Sequence, residues 1–176
     1  MTWGAWGSKL SIKQMQALIE EAVSLEISTF DHADIYGGYT TELEFGKAFK
    51  KSAIEREDVQ FITKCGIQMP CNARPFPVKH YDYSAIHIRN SVEDSLQKLN
   101  TDYIDLLLLH RPSPLMKSSI IAEEFNRLQK EGKVKQFGVS NFGSSQIQLL
   151  QQEVSLSWNQ LECSLTHENP MFDGTL

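Results

Sequence analysis

Phe30-Asp31-His32-Ala33-Asp34-Ile35-Tyr36-Gly37-Gly38 begins where an apolar run, Ile27 to Phe30, gives out into an acid, and it ends in a tyrosine before two glycines. The same form recurs twice. Ile62-Thr63-Lys64-Cys65-Gly66 ends the apolar run Val59–Thr63 in a lysine, and Leu106-Leu107-Leu108-Leu109-His110-Arg111-Pro112 ends a leucine run in a histidine. Such near-continuous apolar runs predict strands buried on both faces, the habit of parallel sheets. In each case the polar residue stands where a buried strand opens into a loop.

The intervening segments have helical spacing. Ser11-Ile12-Lys13-Gln14 has the spacing of a capping box, and Met15, Leu18, Ile19 and Ala22 then fall on one face. Thr41-Glu42-Leu43-Glu44 opens a second helix with the same cap logic. A third runs over about 84–99, with Ile88, Val92, Leu96 and Leu99 inward. Ile121, Phe125 and Leu128 mark a fourth, stopped by Gly132, and Ile147 and Leu150 a short fifth. Trp3-Gly4 reads as the first strand, with Tyr103–Leu109, Phe137–Ser140 and Leu156–Leu161 as the last three. Pro70, Pro75 and Pro77 argue for an ordered loop without regular structure over 68–82.

Strands alternating with helices imply parallel pairing through right-handed crossovers. A doubly wound sheet and a (β/α)8 barrel both satisfy that pattern. The open sheet calls for a glycine-rich phosphate loop after the first strand, and only Gly4-Ala5-Trp6-Gly7 is there. A barrel instead gathers reactive residues at the C-terminal ends of several strands. Asp31, Lys64, His110, Ser140 and Gln160 stand at such positions. The expected fold is therefore α/β of the (β/α)8 type, incomplete, with about six of eight β/α units in a single domain over 1–176.

These segments, with Gly138-Val139-Ser140-Asn141-Phe142 and Trp158-Asn159-Gln160, resemble the signature of the aldo-keto reductases. The run FDHADIYGGY is similar to one bacterial branch of that family, where His-Ala follows the acid in place of Thr-Ala or Ser-Ala. The resemblance implies reduction of aldehyde or ketone carbonyls by hydride from a nicotinamide cofactor, NADP with NAD as the alternative. It makes Asp31, Tyr36, Lys64 and His110 the catalytic tetrad, with Tyr36 as proton donor. Lys64 would lower the phenol's pKa, Asp31 would hold the lysine, and His110 would donate a hydrogen bond to the carbonyl oxygen. Ser140, Asn141 and Gln160 would bind the nicotinamide carboxamide. Thr2 is assigned to the cofactor site with them, Trp3 to the wall of the substrate pocket, and no metal is called for. By the same resemblance the chain looks truncated at both ends. It starts inside the first strand, with Met1 an internal methionine, and stops at 172–176 on the way into a sixth helix.

Composition narrows the alternatives. A formal net charge of -5 without a basic run argues against a nucleic-acid surface. The longest apolar stretch, Ile104 to Leu109, is too short to span a bilayer. The chain opens without a leader, and three cysteines in no framework spacing fit a reducing cytoplasm. An unclosed barrel leaves strand edges, so self-association or a complementing C-terminal fragment is expected. Three further readings stay open: a non-catalytic remnant or protein-interaction module, a barrel hydrolase with His32, Asp34 and His110 on a metal, and a Schiff-base aldolase using Lys64.

Overall fold

The computed structural model describes residues 2–72, 74–172 and 174. Helix α1 (Ile12–Ser24) leads into strand β1 (Thr29–Asp31), a short turn α2 (Tyr36–Tyr39) and helix α3 (Thr41–Phe49). Strand β2 (Gln60–Cys65) is followed by a small hairpin, β3 (Ile67–Gln68) and β4 (His80–Tyr81). Then come α4 (Ala85–Leu99), β5 (Ile104–Leu109), α5 (Ser118–Lys130), β6 (Val134–Ser140), α6 (Ser144–Gln151), β7 (Trp158–Gln160) and one turn of helix, α7 (Asn169–Phe172).

Strands β1, β2, β5, β6 and β7 form one parallel sheet in chain order, with Lys64 opposite Leu108, Leu108 opposite Gly138 and Ser140 opposite Gln160. The two-residue period of a strand divides them into two faces. Phe30, Phe61, Cys65, Leu107, Leu109, Phe137 and Val139 enter one core under the helices. Asp31, Lys64, Leu108, Ser140 and Gln160 take the other face. That face is concave: the Gln160 amide on β7 reaches the Asp31 carboxylate on β1 at 3.2 Å, although these are the two outer strands. The fold is a curled parallel half-barrel of the (β/α)8 type.

Local chemistry explains the helices. Ser11 and Gln14 close the capping box reciprocally, and α1 buries Met15 and Ile19. Ser84 caps α4 by accepting the His87 N–H, and Asn100, in the left-handed region, ends it. No helix of the described residues is long and apolar enough to cross a membrane.

Three expectations are corrected. Thr2-Trp3-Gly4 forms no strand, because its carbonyls are taken by a local loop: Ser8 N–H donates to Thr2, Leu10 to Trp3 and Gly7 to Gly4. The segment over 68–82 is not free of regular structure. Gln68 pairs antiparallel with His80, and Pro70, Pro75 and Pro77 lie outside the paired positions, where a missing N–H costs nothing. The first parallel strand starts at Thr29 instead of Ile27, because the Ile27 N–H still serves the end of α1 by donating to Ala22. The expected start of a sixth helix meets α7, but Asp173, Thr175 and Leu176 lie outside the described residues, as does Met1.

Candidate active site

The curled sheet brings strand ends together on its concave side. Lys64 is 2% exposed, and its ammonium donates to Asp31 Oδ1 at 2.6 Å and to the His32 carbonyl at 2.8 Å. Backbone bonds extend the ladder past the strand ends and fix the loops: His32 N–H to the Ile62 carbonyl, Asp34 N–H to that of Lys64 and His110 N–H to that of Cys65. Tyr36 follows in α2, where Gly37 and Gly38, both at positive φ, turn the chain. Its ring stands edge-on to His110 at 5.8 Å between centroids, and Lys64 Nζ lies 5.2 Å from the Tyr36 ring centre. Asp31, Tyr36, Lys64 and His110 are therefore gathered at one place.

Burial governs their charges. It pushes the Lys64 ammonium down from its usual pKa, and the Asp31 charge opposes that. It lowers His110 to about 3, helped by the positive charges of Lys64 and Arg111, so the imidazole is neutral at ordinary pH. Tyr36 moves opposite to expectation: burial, then the Asp31 charge, raises its pKa. The physical reason is that desolvation of the phenolate outweighs the one opposing charge, that of Arg111.

Ser140, Asn141 and Gln160 form a second group at the same strand ends. The buried Ser140 hydroxyl accepts from Asn141 Nδ2 at 2.8 Å, and the Asn141 N–H donates to the Gln160 carbonyl at 3.0 Å. Gln160 joins this group to the first through Asp31. Thr2 lies in the loop it closes with Ser8. Trp3, expected at the pocket wall, is half-buried and packs against Phe30 and Phe45, both at 6.4 Å between ring centres.

Trp6 is 54% exposed, and its ring lies 6.5 Å from that of Tyr36. Tyr83 was missed by sequence reasoning. Its hydroxyl donates to the Arg111 carbonyl and accepts the Arg111 N–H at 3.2 Å, bracing the residue after His110. His32 faces the helices, its ring 4.4 Å from that of Phe45, so it does not converge with His110 as the metal reading requires. A cleft of about 440 Å³, lined by Ile62, Leu106, Gln136 and Trp158, opens on the sheet toward the opposite ends of the strands.

A sequence profile described as "Aldo/keto reductase family" matches residues 1–173. The chain is 48% identical over 166 residues to "Uncharacterized oxidoreductase YcsN" of Bacillus subtilis (strain 168), covering 93% of this chain and 55% of that protein. It is 43% identical over 176 residues to "Oxidoreductase YdhF" of Escherichia coli (strain K12), covering 99% and 59%. Among solved structures, "aldo-keto reductase AKR11C1 from Bacillus halodurans (holo form)" superposes with a TM-score of 0.82 at 26% identity, over 97% of this chain and 53% of that one. The chain thus spans little more than half the length of the curated relatives it matches.

Proposed function

Because the chain belongs to the aldo/keto reductase family, we propose that it is an NAD(P)H-dependent oxidoreductase reducing aldehyde or ketone carbonyls, with Tyr36 as the proton donor. The observation that carries this reading is the convergence of Lys64, Asp31, Tyr36 and His110 at the strand ends. A bound nicotinamide would supply the hydride, which no side chain can. The residues fit such a group: Ser140, Asn141 and Gln160 offer hydroxyl and amide donors and acceptors together, the complement of a carboxamide. NADP is the cofactor favoured by resemblance, with NAD as the alternative.

Each residue then has a task. Neutral His110 keeps an N–H to donate to the carbonyl oxygen and fixes its angle. Tyr36, its pKa raised by burial, stays protonated at neutral pH and gives its proton to that oxygen. The Lys64 ammonium stabilises the phenolate left behind, and Asp31 keeps the lysine charged and aimed. The free state of Cys65, Cys71 and Cys163 supports a reducing cytoplasm as the setting.

The test is a titration with NADPH and NADH, followed by tryptophan quenching, on the chain and on Tyr36→Phe. Saturable binding is expected in both. Turnover of an aldehyde panel should fall by about 10²-fold or more in the variant. Retained turnover in Tyr36→Phe would overturn the role of Tyr36, and loss of binding in both would overturn the cofactor assignment.

A further inference from the structure

Behind the tetrad, where β2 meets α3 and α4, lies a layer of buried polar groups that the proposed reaction does not use. Glu42, 1% exposed, accepts hydrogen bonds from Thr63 Oγ1 at 2.6 Å and Ser95 Oγ at 3.0 Å. Asp34, 4% exposed, accepts Ser91 Oγ through Oδ2 at 2.8 Å, while its Oδ1 meets no hydrogen-bond partner among the described residues. The Asp34 N–H also donates to the Lys64 carbonyl at 3.0 Å. One residue thus ties the loop between Asp31 and Tyr36 to the backbone of Lys64 on one side and to α4 on the other.

We infer that Asp34 is a positioning residue for the proposed reduction, a clamp on the Asp31–Tyr36 loop that is anchored to Lys64 by its backbone N–H and whose grip on Ser91 tightens when its carboxyl ionises. The inference rests on the reductase reading for its purpose, and on geometry for its existence. A carboxylate makes a stronger, charge-assisted bond to the Ser91 hydroxyl than a carboxylic acid does. Its charge also favours the ammonium form of Lys64, one strand away. Against ionisation stands the burial of both oxygens away from water.

The balance falls in a useful range. Burial, then the charge of Glu42, pushes the Asp34 carboxyl up to about 7, with the Ser91 hydroxyl, the Ile35 N–H and the Arg74 charge pulling the other way. The groups facing it are Glu42 from α3, Arg74 from the β3–β4 connection, Lys64 and Cys65 on β2, Tyr39 on α2 and Tyr83 before α4. Burial raises Cys65, Tyr39 and Tyr83, so these stay neutral where Asp34 titrates. Glu42 is held by two hydroxyls and is the one neighbour whose own protonation competes.

The experiment labels tyrosine at Cζ with carbon-13 in the full chain, assigns Tyr36 through Tyr36→Phe, and follows its resonance from about pH 5 to about pH 9, below the usual tyrosine range. The expected result is an inflection of the Tyr36 signal near 7 that Asp34→Asn abolishes. Ser91→Ala should move the inflection upward by about half a unit or more, because the hydroxyl that favours the carboxylate is gone. An inflection unchanged in Asp34→Asn, or none in the folded chain, overturns the inference. Should Asp34→Asn fail to fold, Ser91→Ala decides, and an unmoved inflection overturns it. The reading is independent of turnover. A chain with the inflection and no carbonyl reduction keeps the clamp and loses the reductase assignment, and turnover without the inflection does the reverse.

Discussion

His110 is uncharged at neutral pH because burial denies water to the imidazolium before Lys64 and Arg111 add their repulsion. Its folded pKa, about 3, lies below the ordinary 6.5, so folding favours the neutral ring. That stability is fully present above about 6.5 and is lost as pH falls toward 3. Asp34 tilts the other way: raised from 3.8 to about 7, it favours the fold below 3.8 and withdraws that support as pH rises through 7. His110→Gln should therefore remove acid sensitivity worth about 5 kcal/mol between those limits. Urea midpoints measured against pH check it, and an unchanged slope would mean that the ring is hydrated. That Asp31, Lys64 and His110 belong together with Tyr36 was legible in sequence, since the three interrupt apolar strands at their ends. The direction of the Tyr36 pKa was not, because it depends on water excluded by residues distant in the chain.

Two glycines at element ends separate conformational strain from collision. Gly66 lies between β2 and β3 at φ 108, and a Cβ there would come within 2.0 Å of Tyr83 Cε1. Gly132, after α5, has φ 71, and a Cβ there would meet nothing within 4 Å. Gly132→Ala should cost about 1 kcal/mol, from backbone strain alone. Gly66→Ala should cost roughly 3 kcal/mol or more and displace Tyr83 from Arg111 beside the proposed hydrogen-bond donor. Equal thermal shifts in the two variants would refute the distinction. The elements themselves were read well where burial is two-sided, as in β2 and β5. Trp3 misled because an aromatic beside a glycine looks alike at a strand end and in a loop folded on the core. The β3–β4 hairpin was hidden because two paired residues on each side leave too little period to see among three prolines.

At the scale of the molecule, β1 and β7 are the outer strands of the sheet among the described residues, and Trp158 stands 57% exposed on β7. We propose that these outer strands and the exposed indole favour association with a second copy. Sedimentation at rising concentration is expected to show reversible self-association, weakened by Trp158→Lys. A monomer of constant mass across the micromolar range would overturn this. The bond from Gln160 to Asp31 joins residues 129 apart in sequence. Closing that loop costs roughly 2 kcal/mol more chain entropy than closing one of about ten residues. On a ribosome, the acid and its lysine have both emerged long before Gln160 is made. The Asp31–Lys64 part of the site is assembled early, and the Gln160 amide that bonds to it arrives only with β7, so the order of synthesis sets the order in which the site acquires its parts.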